Sequence, residues 1–172
     1  MRDGRNVVLR TPTWNDLDDL LSLINSLVEE GANIIVDKRV TRQEEIEWLS
    51  KALARSERDE AFYLVAEVDG RVVGNSELTR ETGGRDSHVG RLGIAIREGF
   101  RNLGIGTEMM KALFEQARVW GLKGVTLGHF ATNERAHRLF QRIGFVEVSR
   151  IPKKFLKDGR YTDEIVMVKM LD

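Results

Sequence analysis

The chain has no cysteine, only two prolines and no excess of charge of either sign. Without cysteine there is no disulfide framework, no zinc–thiolate site and no thiol nucleophile, a composition that suits a reducing compartment. Lys plus Arg number 27 and Asp plus Glu number 27, so the basic surplus of a typical nucleic-acid binder is missing. Apolar runs extend over only a few residues, and the N-terminal "MRDGRNVVLR" lacks the apolar stretch of a signal peptide. These absences lead to the expectation of a cytoplasmic protein with no nucleic acid and no membrane as partner. What remains is 172 residues, 41% of them hydrophobic, the size of one domain spanning 1–172 with a substantial core.

Local signals punctuate the chain clearly. "VVLR" at Val7 to Arg10 reads as a short strand, and Thr13 followed by Asp16 makes a capping-box start for a helix whose apolar face recurs at Leu17, Leu20, Leu21, Ile24, Leu27 and Val28. Thr41 with Glu44 repeats that start signal before Ile46, Leu49 and Leu53. "AFYLVAEV" and "RVVGNSEL" are strands joined by Asp69-Gly70, a tight hairpin dipeptide, and "HVGRLGIAI" is a further strand. A helix follows to Gly121, then the strand "GVTLGHF", a helix from Asn133 to Ile143, and two closing strands about Asp158-Gly159. This order predicts a mixed α/β fold, helices around one sheet.

Between "HVGRLGIAI" and the helix after it lies "IREGFRNLGIGTEMM", with Gly104 and Gly106 one residue apart. A glycine turn that opens a helix aims unpaired N–H groups and the positive end of the helix dipole at an anion, most naturally a phosphate. "GFRNLG" opens like a nucleotide P-loop, but Ile105 and Gly106 stand where Lys and Ser or Thr are required. A dinucleotide fingerprint fails too, because its third glycine position is Met109.

Arg101-Asn102-Leu103-Gly104-Ile105-Gly106, whose Gly104 lies eight residues beyond the strand end at Ile96, resembles the pyrophosphate-binding signature of the GNAT superfamily of N-acetyltransferases, and "ATNERAHRLFQRIGF" resembles that family's asparagine-bearing helix. The resemblance covers about Val7 to Leu171, and it looks most like the branch that acylates amino acids and other small amines. It implies a GNAT-like fold: a mixed, mostly antiparallel twisted sheet flanked by helices, with a splayed parallel strand pair, those containing Ile94 and Leu127, for acyl-CoA. It further implies a single acetyltransferase domain that moves the acetyl group of acetyl-CoA directly to a primary amine, small-molecule or peptide, with no metal. Cofactor contacts are implied for the backbone of Ile94, Ala95 and Ile96, for the turn Arg101, Asn102, Leu103, Gly104, Ile105, Gly106 and Thr107, and for Asn133 and Phe140. A homodimer is compatible with it, and acceptor specificity is expected from the helices spanning Trp14 to Arg55.

The chain departs from this pattern where a glutamate base and a tyrosine acid stand in the ribosomal-protein branch, five residues before and seven after Asn133; these places hold Gly128 and Phe140. A coenzyme thiol with a pKa of about 8.5 leaves tolerably without a positioned acid. An α-amine with a pKa of about 8 is roughly one-tenth neutral at pH 7, whereas a lysine amine near 10.4 is neutral about once in 2,500, so α-amines are the better-suited acceptors. Two side chains are candidates for the base. His88, by strand alternation, is expected on the face of Gly90, Leu92, Ile94 and Ile96, and Glu77 on the preceding strand could act through water. His129 and His137 are read as structural, with His129 on the opposite face from position 128. The absent glutamate and tyrosine keep a second reading open, a non-catalytic acyl-CoA-binding module.

Overall fold

In the computed structural model, which describes residues 1, 4–80 and 83–171, both helix-start signals are realised. Thr13 and Asp16 form a capping box that opens a 3-10 turn, Trp14–Asp16, leading into α1 (Leu17–Glu29). Thr41 and Glu44 form a second box that opens α2 (Arg42–Glu57), where the Thr41 N–H donates to Glu44 Oε2 at 2.8 Å. Then follow β2 (Ala61–Val68), β3 (Arg71–Arg80), β4 (Val89–Ile96), α3 (Ile105–Val119), β5 (Gly124–Phe130), α4 (Glu134–Arg142), β6 (Val146–Lys157) and β7 (Arg160–Met170), all preceded by β1 (Val8–Arg10). Asp69-Gly70 and Asp158-Gly159 have φ of 52° and 75°, and of 50° and 72°. Two successive positive values are what a type I′ hairpin turn requires, and these dipeptides join β2 to β3 and β6 to β7.

The seven strands make one sheet in the order β1-β2-β3-β4-β5-β7-β6, antiparallel everywhere except between β4 and β5. Alternation along the strands feeds two cores. Leu64, Leu78, Leu92, Leu127 and Met167 meet Met110 and Leu113 of α3 and Phe140 of α4 on one face. Val65 and Val72 meet Leu20, Leu27 and Leu49 of α1 and α2 on the other. The expected mixed, mostly antiparallel sheet with one parallel pair flanked by helices is therefore what the chain forms. Among the described residues no helix is long and apolar enough to cross a membrane.

The α1 end of the molecule is fixed by a charged knot. The Arg10 guanidinium donates to both Asp16 oxygens, at 2.8 and 2.7 Å, and through Nε to Glu67 at 2.9 Å, so one side chain joins β1, the start of α1 and β2. Asp16 also accepts from the Thr13 N–H at 2.7 Å. The Arg10 bond holds the Asp16 carboxyl below the usual carboxylate range, against burial that would raise it. A depressed carboxylate contributes stability above its unfolded pKa, about 3.9, and loses that contribution as pH falls through the lower native value. Asp16→Asn is accordingly expected to cost about 2 kcal/mol at pH 7 in urea unfolding, with the gap to wild type narrowing below about pH 4.

Candidate active site

The site begins where two strands part. β4 and β5 pair only at Val89–Gly124, Gly90–Val125 and Arg91–Thr126. Beyond these, β4 stays with β3 as far as Ile96–Gly74, and β5 stays with β7 as far as Phe130–Glu164. Gly90 sits at the joined end, where an added Cβ would lie 2.7 Å from Leu78 and 2.8 Å from Leu122. Thr126 Oγ1 donates to the Gly90 carbonyl at 3.2 Å, so Gly90 faces β5, whereas the Arg97 N–H donates to Val73 of β3 at 2.8 Å. Backbone groups alternate along a strand, so beyond the last pair those of Ile94 and Ile96 face the opening and those of Ala95 turn to β3. The opening thus has an unpaired strand edge, the kind of surface that takes an extended amide-bearing ligand.

Next to the open end lies the glycine turn. Asn102 and Gly104 adopt φ of 63° and 95°, and a Cβ on Gly104 would meet nothing within 4 Å, so this glycine serves backbone conformation and open approach. Gly106 matters for packing instead, since a Cβ there would lie 3.2 Å from Ile96 and 3.4 Å from Leu139, and its bareness lets α3 start hard against β4 and α4. The N–H groups of Thr107 and Glu108 fold back onto the Gly104 carbonyl at 3.0 and 3.2 Å, which leaves the earlier N–H groups of the turn for an anion. Arg101 braces the turn, with Nε donating to the Ile96 carbonyl at 2.7 Å and its guanidinium paired with Glu30. A cleft of about 540 Å³ lies along this turn and the edge of β4, with Asn133, Phe140 and the exposed Arg135 and Arg142 opposite.

A second cavity, about 420 Å³, opens on the α1/α2 face and meets the first at Ile94, Ala95, Asn133 and Phe140. The segment between α1 and α2 crosses both, tied by Asn25 to Val40 through bonds of 3.0 and 2.8 Å and by Lys157 to Gly31 and Asn33. Among the described residues, four carboxylates, Glu44, Glu45, Glu77 and Glu164, and one guanidinium, Arg91, line the second cavity. Glu44 is spent in the capping box. Glu77 lies over Gly93, with its Oε1 3.2 Å from where a Cβ would be, and its charge adds to the burial that pushes the Tyr63 hydroxyl up. Glu164 occupies the place of a side chain at 128: its Oε1 lies 2.1 Å from the position of a Gly128 Cβ, and the residue is only 9% exposed. Glu45 is 6% exposed, and burial alone pushes its carboxyl up to about 7.

The structure gathers Ile94, Ala95, Ile96, Arg101, Asn102, Gly104, Gly106, Thr107, Asn133 and Phe140 along the first cleft, and Glu77 along the second. Leu103 and Ile105 belong to the turn but do not line the cleft, Ile105 being buried in the core beside Met109. Ala95 presents its side chain, because its backbone belongs to β3, and Thr107 its side chain, because its N–H returns to Gly104. His88 is not brought to the site. β4 starts one residue after it, its carbonyl accepts from the Lys123 N–H at 2.8 Å at the joined end of the strand pair, and it is exposed. His129 does face α4, as alternation predicts. Its Nδ1 lies 2.9 Å from the Phe130 carbonyl and so carries the proton, and Nε2 accepts from His137 Nδ1 at 3.2 Å. Burial lowers its pKa further, which keeps the ring neutral at pH 7. Among the described residues there is no group of three or more side chains that could hold a metal ion.

Glu45 and Glu164 escape the sequence reading. Glu45 left a signal, since Glu45, Leu49 and Ala52 share the buried face of α2 and a carboxylate among them is out of place. Glu164 left none, because its nearness to Gly128 depends on the β5–β7 register.

This arrangement has relatives. Residues 21–145 match the family model described as Acetyltransferase (GNAT) family, and the chain belongs to that family. It is thus an acetyltransferase by descent. It is 30% identical over 109 residues to the L-amino acid N-acetyltransferase AaaT of Escherichia coli (strain K12), covering 62% of this chain and 67% of that protein. The matches span about two thirds of the length of the curated relatives, 65% for two others. Among solved structures, the ribosomal-protein-alanine N-acetyltransferase from Brucella melitensis is 29% identical with a TM-score of 0.83, over 95% of this chain and 99% of that one. The yncA structure from Salmonella typhimurium with its cofactor acetyl-CoA shares the fold, with a TM-score of 0.82 at 22% identity over 96% of this chain and 94% of that one.

The unusual ionisation of Glu45 has a measurable sign. Between about pH 4.5, where an unfolded glutamate ionises, and about 7, the folded chain holds a proton that the unfolded chain has lost, so this residue makes stability fall as pH rises. Glu45→Gln is therefore expected to raise Tm at pH 8, with the gain fading toward pH 4.5, as scanning calorimetry at a series of pH values would show.

Proposed function

We propose that the protein transfers the acetyl group of acetyl-CoA directly to the α-amine of a small molecule, with an amino acid as the favoured class. The observation that carries this reading is the parting of β4 and β5, which lets a cleft beside an anion-binding turn meet a second cavity through the sheet. The residues present suit acetyl-CoA. The turn from Asn102 to Gly106 offers N–H groups to a diphosphate, and Arg135 and Arg142 face it with positive charge. The edge offers the Ile94 N–H and carbonyl and the Ile96 N–H to an extended amide arm. When bound, acetyl-CoA supplies an acyl carbon activated as a thioester; no metal is needed.

The remaining work falls to the chain. The Ile94 N–H, which faces the opening, is the donor available to polarise an acyl carbonyl. Phe140, 5% exposed, excludes water at the meeting of the cavities but has no proton to give. An amine entering from the α1/α2 face must lose a proton before it can attack, and Glu77 and Glu164 are the carboxylates beside the opening on that face. Glu164 is the stronger acceptor candidate, because Gly128 leaves it the space at the edge of β5. The amino-acid class is supported by the AaaT likeness and by Arg91, a cation that can hold a carboxylate.

The reading is tested by following thiol release from acetyl-CoA across a panel of amines, with calorimetry on the donor side. Gly104→Asp places a carboxylate and a strained left-handed residue at the turn, and it is expected to abolish acetyl-CoA binding in a folded protein. Unchanged affinity would remove the turn from the site. A binding module would bind acetyl-CoA tightly and release no thiol with any amine.

Glu164→Gln is expected to lower kcat/KM about 10²-fold or more at pH 7 while acetyl-CoA affinity is kept. Moving the carboxylate back, Gly128→Glu with Glu164→Ala, should recover about 10-fold or more over Glu164→Ala alone. A full-rate Glu164→Gln beside a crippled Glu77→Gln would reassign proton removal to Glu77.

A further inference from the structure

Among the described residues, the second cavity holds one acid that neither proton transfer nor helix capping uses. Glu45, only 6% exposed, lines this cavity on the α2 side and has neither an ion-pair nor a side-chain hydrogen-bond partner among the described residues, although the residue before it is capped and ion pairs are common on the surface around it. Leu20, Leu23 and Ile24 of α1 wall the same space, so the carboxylate stands at an apolar end of the cavity. Trp48, one turn further along α2, lines it as well. A carboxylate reached only from a cavity has lost much of its hydration, and a guest cation held between that carboxylate and an indole face would offset the loss.

Resting on the acetyltransferase reading above, we propose that Glu45 and Trp48 form a subsite for a second positive charge on the acceptor, so that the preferred substrates are α-amines bearing an aliphatic arm that ends in a cation, as in basic amino acids. The charge pattern of the cavity agrees. Arg91 can hold the α-carboxylate, Glu77 and Glu164 flank the reacting amine, and the apolar walls between them and Glu45 suit methylene groups. A neutral acceptor of the same shape would fill the apolar part and leave Glu45 as unpaired as it is now.

The experiment compares acceptors close in shape and different in charge, L-arginine against L-citrulline and L-lysine against L-norleucine, which is one atom shorter, by initial rates of thiol release. The wild type is expected to favour the cationic member of at least one pair by about 10-fold or more in kcat/KM, the scale of a hydrogen bond to a charged group. Glu45→Gln, isosteric and expected to be the more stable protein at pH 8, should bring that ratio to about 2 or below through a loss on the cationic side. A wild-type ratio near one in both pairs overturns the subsite without need of any variant, and so does a preference that Glu45→Gln leaves intact. In either case turnover of citrulline or norleucine would show that acetyl transfer stands and only the cation subsite falls. Absence of thiol release with all four and with every other amine would instead remove the acetyltransferase reading and the subsite together.

Discussion

Everything in this molecule depends on how long β4 and β5 stay together. Three residue pairs join them, and after Arg91 and Thr126 each strand keeps its other neighbour and leaves its former partner. A sheet interior normally satisfies backbone groups on both sides of a strand, and an edge left bare inside a protein is costly unless something covers it. The exception is tolerated here because the edge fronts solvent-accessible cavities rather than packed core. The same separation makes a passage between the two faces, so that groups from α1 and α2 and groups from α3 and α4 can act on one bond.

The helices divide the labour accordingly. α3 brings its N-terminus to the open end of β4, held close by the bare Gly106, and Arg101 fastens the turn to both the end of β4 and Glu30. α4 supplies Asn133, whose Oδ1 accepts from the Ala136 N–H at 3.2 Å and so fixes the residue at the mouth, together with Phe140 in the wall. α1 and α2 wall the second cavity; the Arg10 knot ties the start of α1 to β1 and β2, and Asn25 of α1 clasps Val40 just before α2.

Much of this was legible in the sequence for reasons of local chemistry. Capping boxes, Asp-Gly hairpins and the glycine turn are decided within a few residues, and each stands where its signature lies. The strand order was not, since nothing local tells β7 to insert between β5 and β6. His88 shows where periodicity fails: its alternation with Ile94 is sound, but the face it would share exists only once the strand has begun, and it sits where the pair is closed. Glu45 was readable as an acid on an apolar face, while Glu164 became meaningful only through pairing with a strand more than thirty residues away.

Gly128 and Glu164 show what a fold constrains. One oxygen of Glu164 stands where a Cβ at 128 would be, so any side chain there would turn the end of Glu164 aside. A carboxylate at that point in space therefore depends on both positions, one to carry it and one to leave it room. Along the chain, position 128 shows only a glycine; in three dimensions a carboxylate stands beside it, carried by the neighbouring strand.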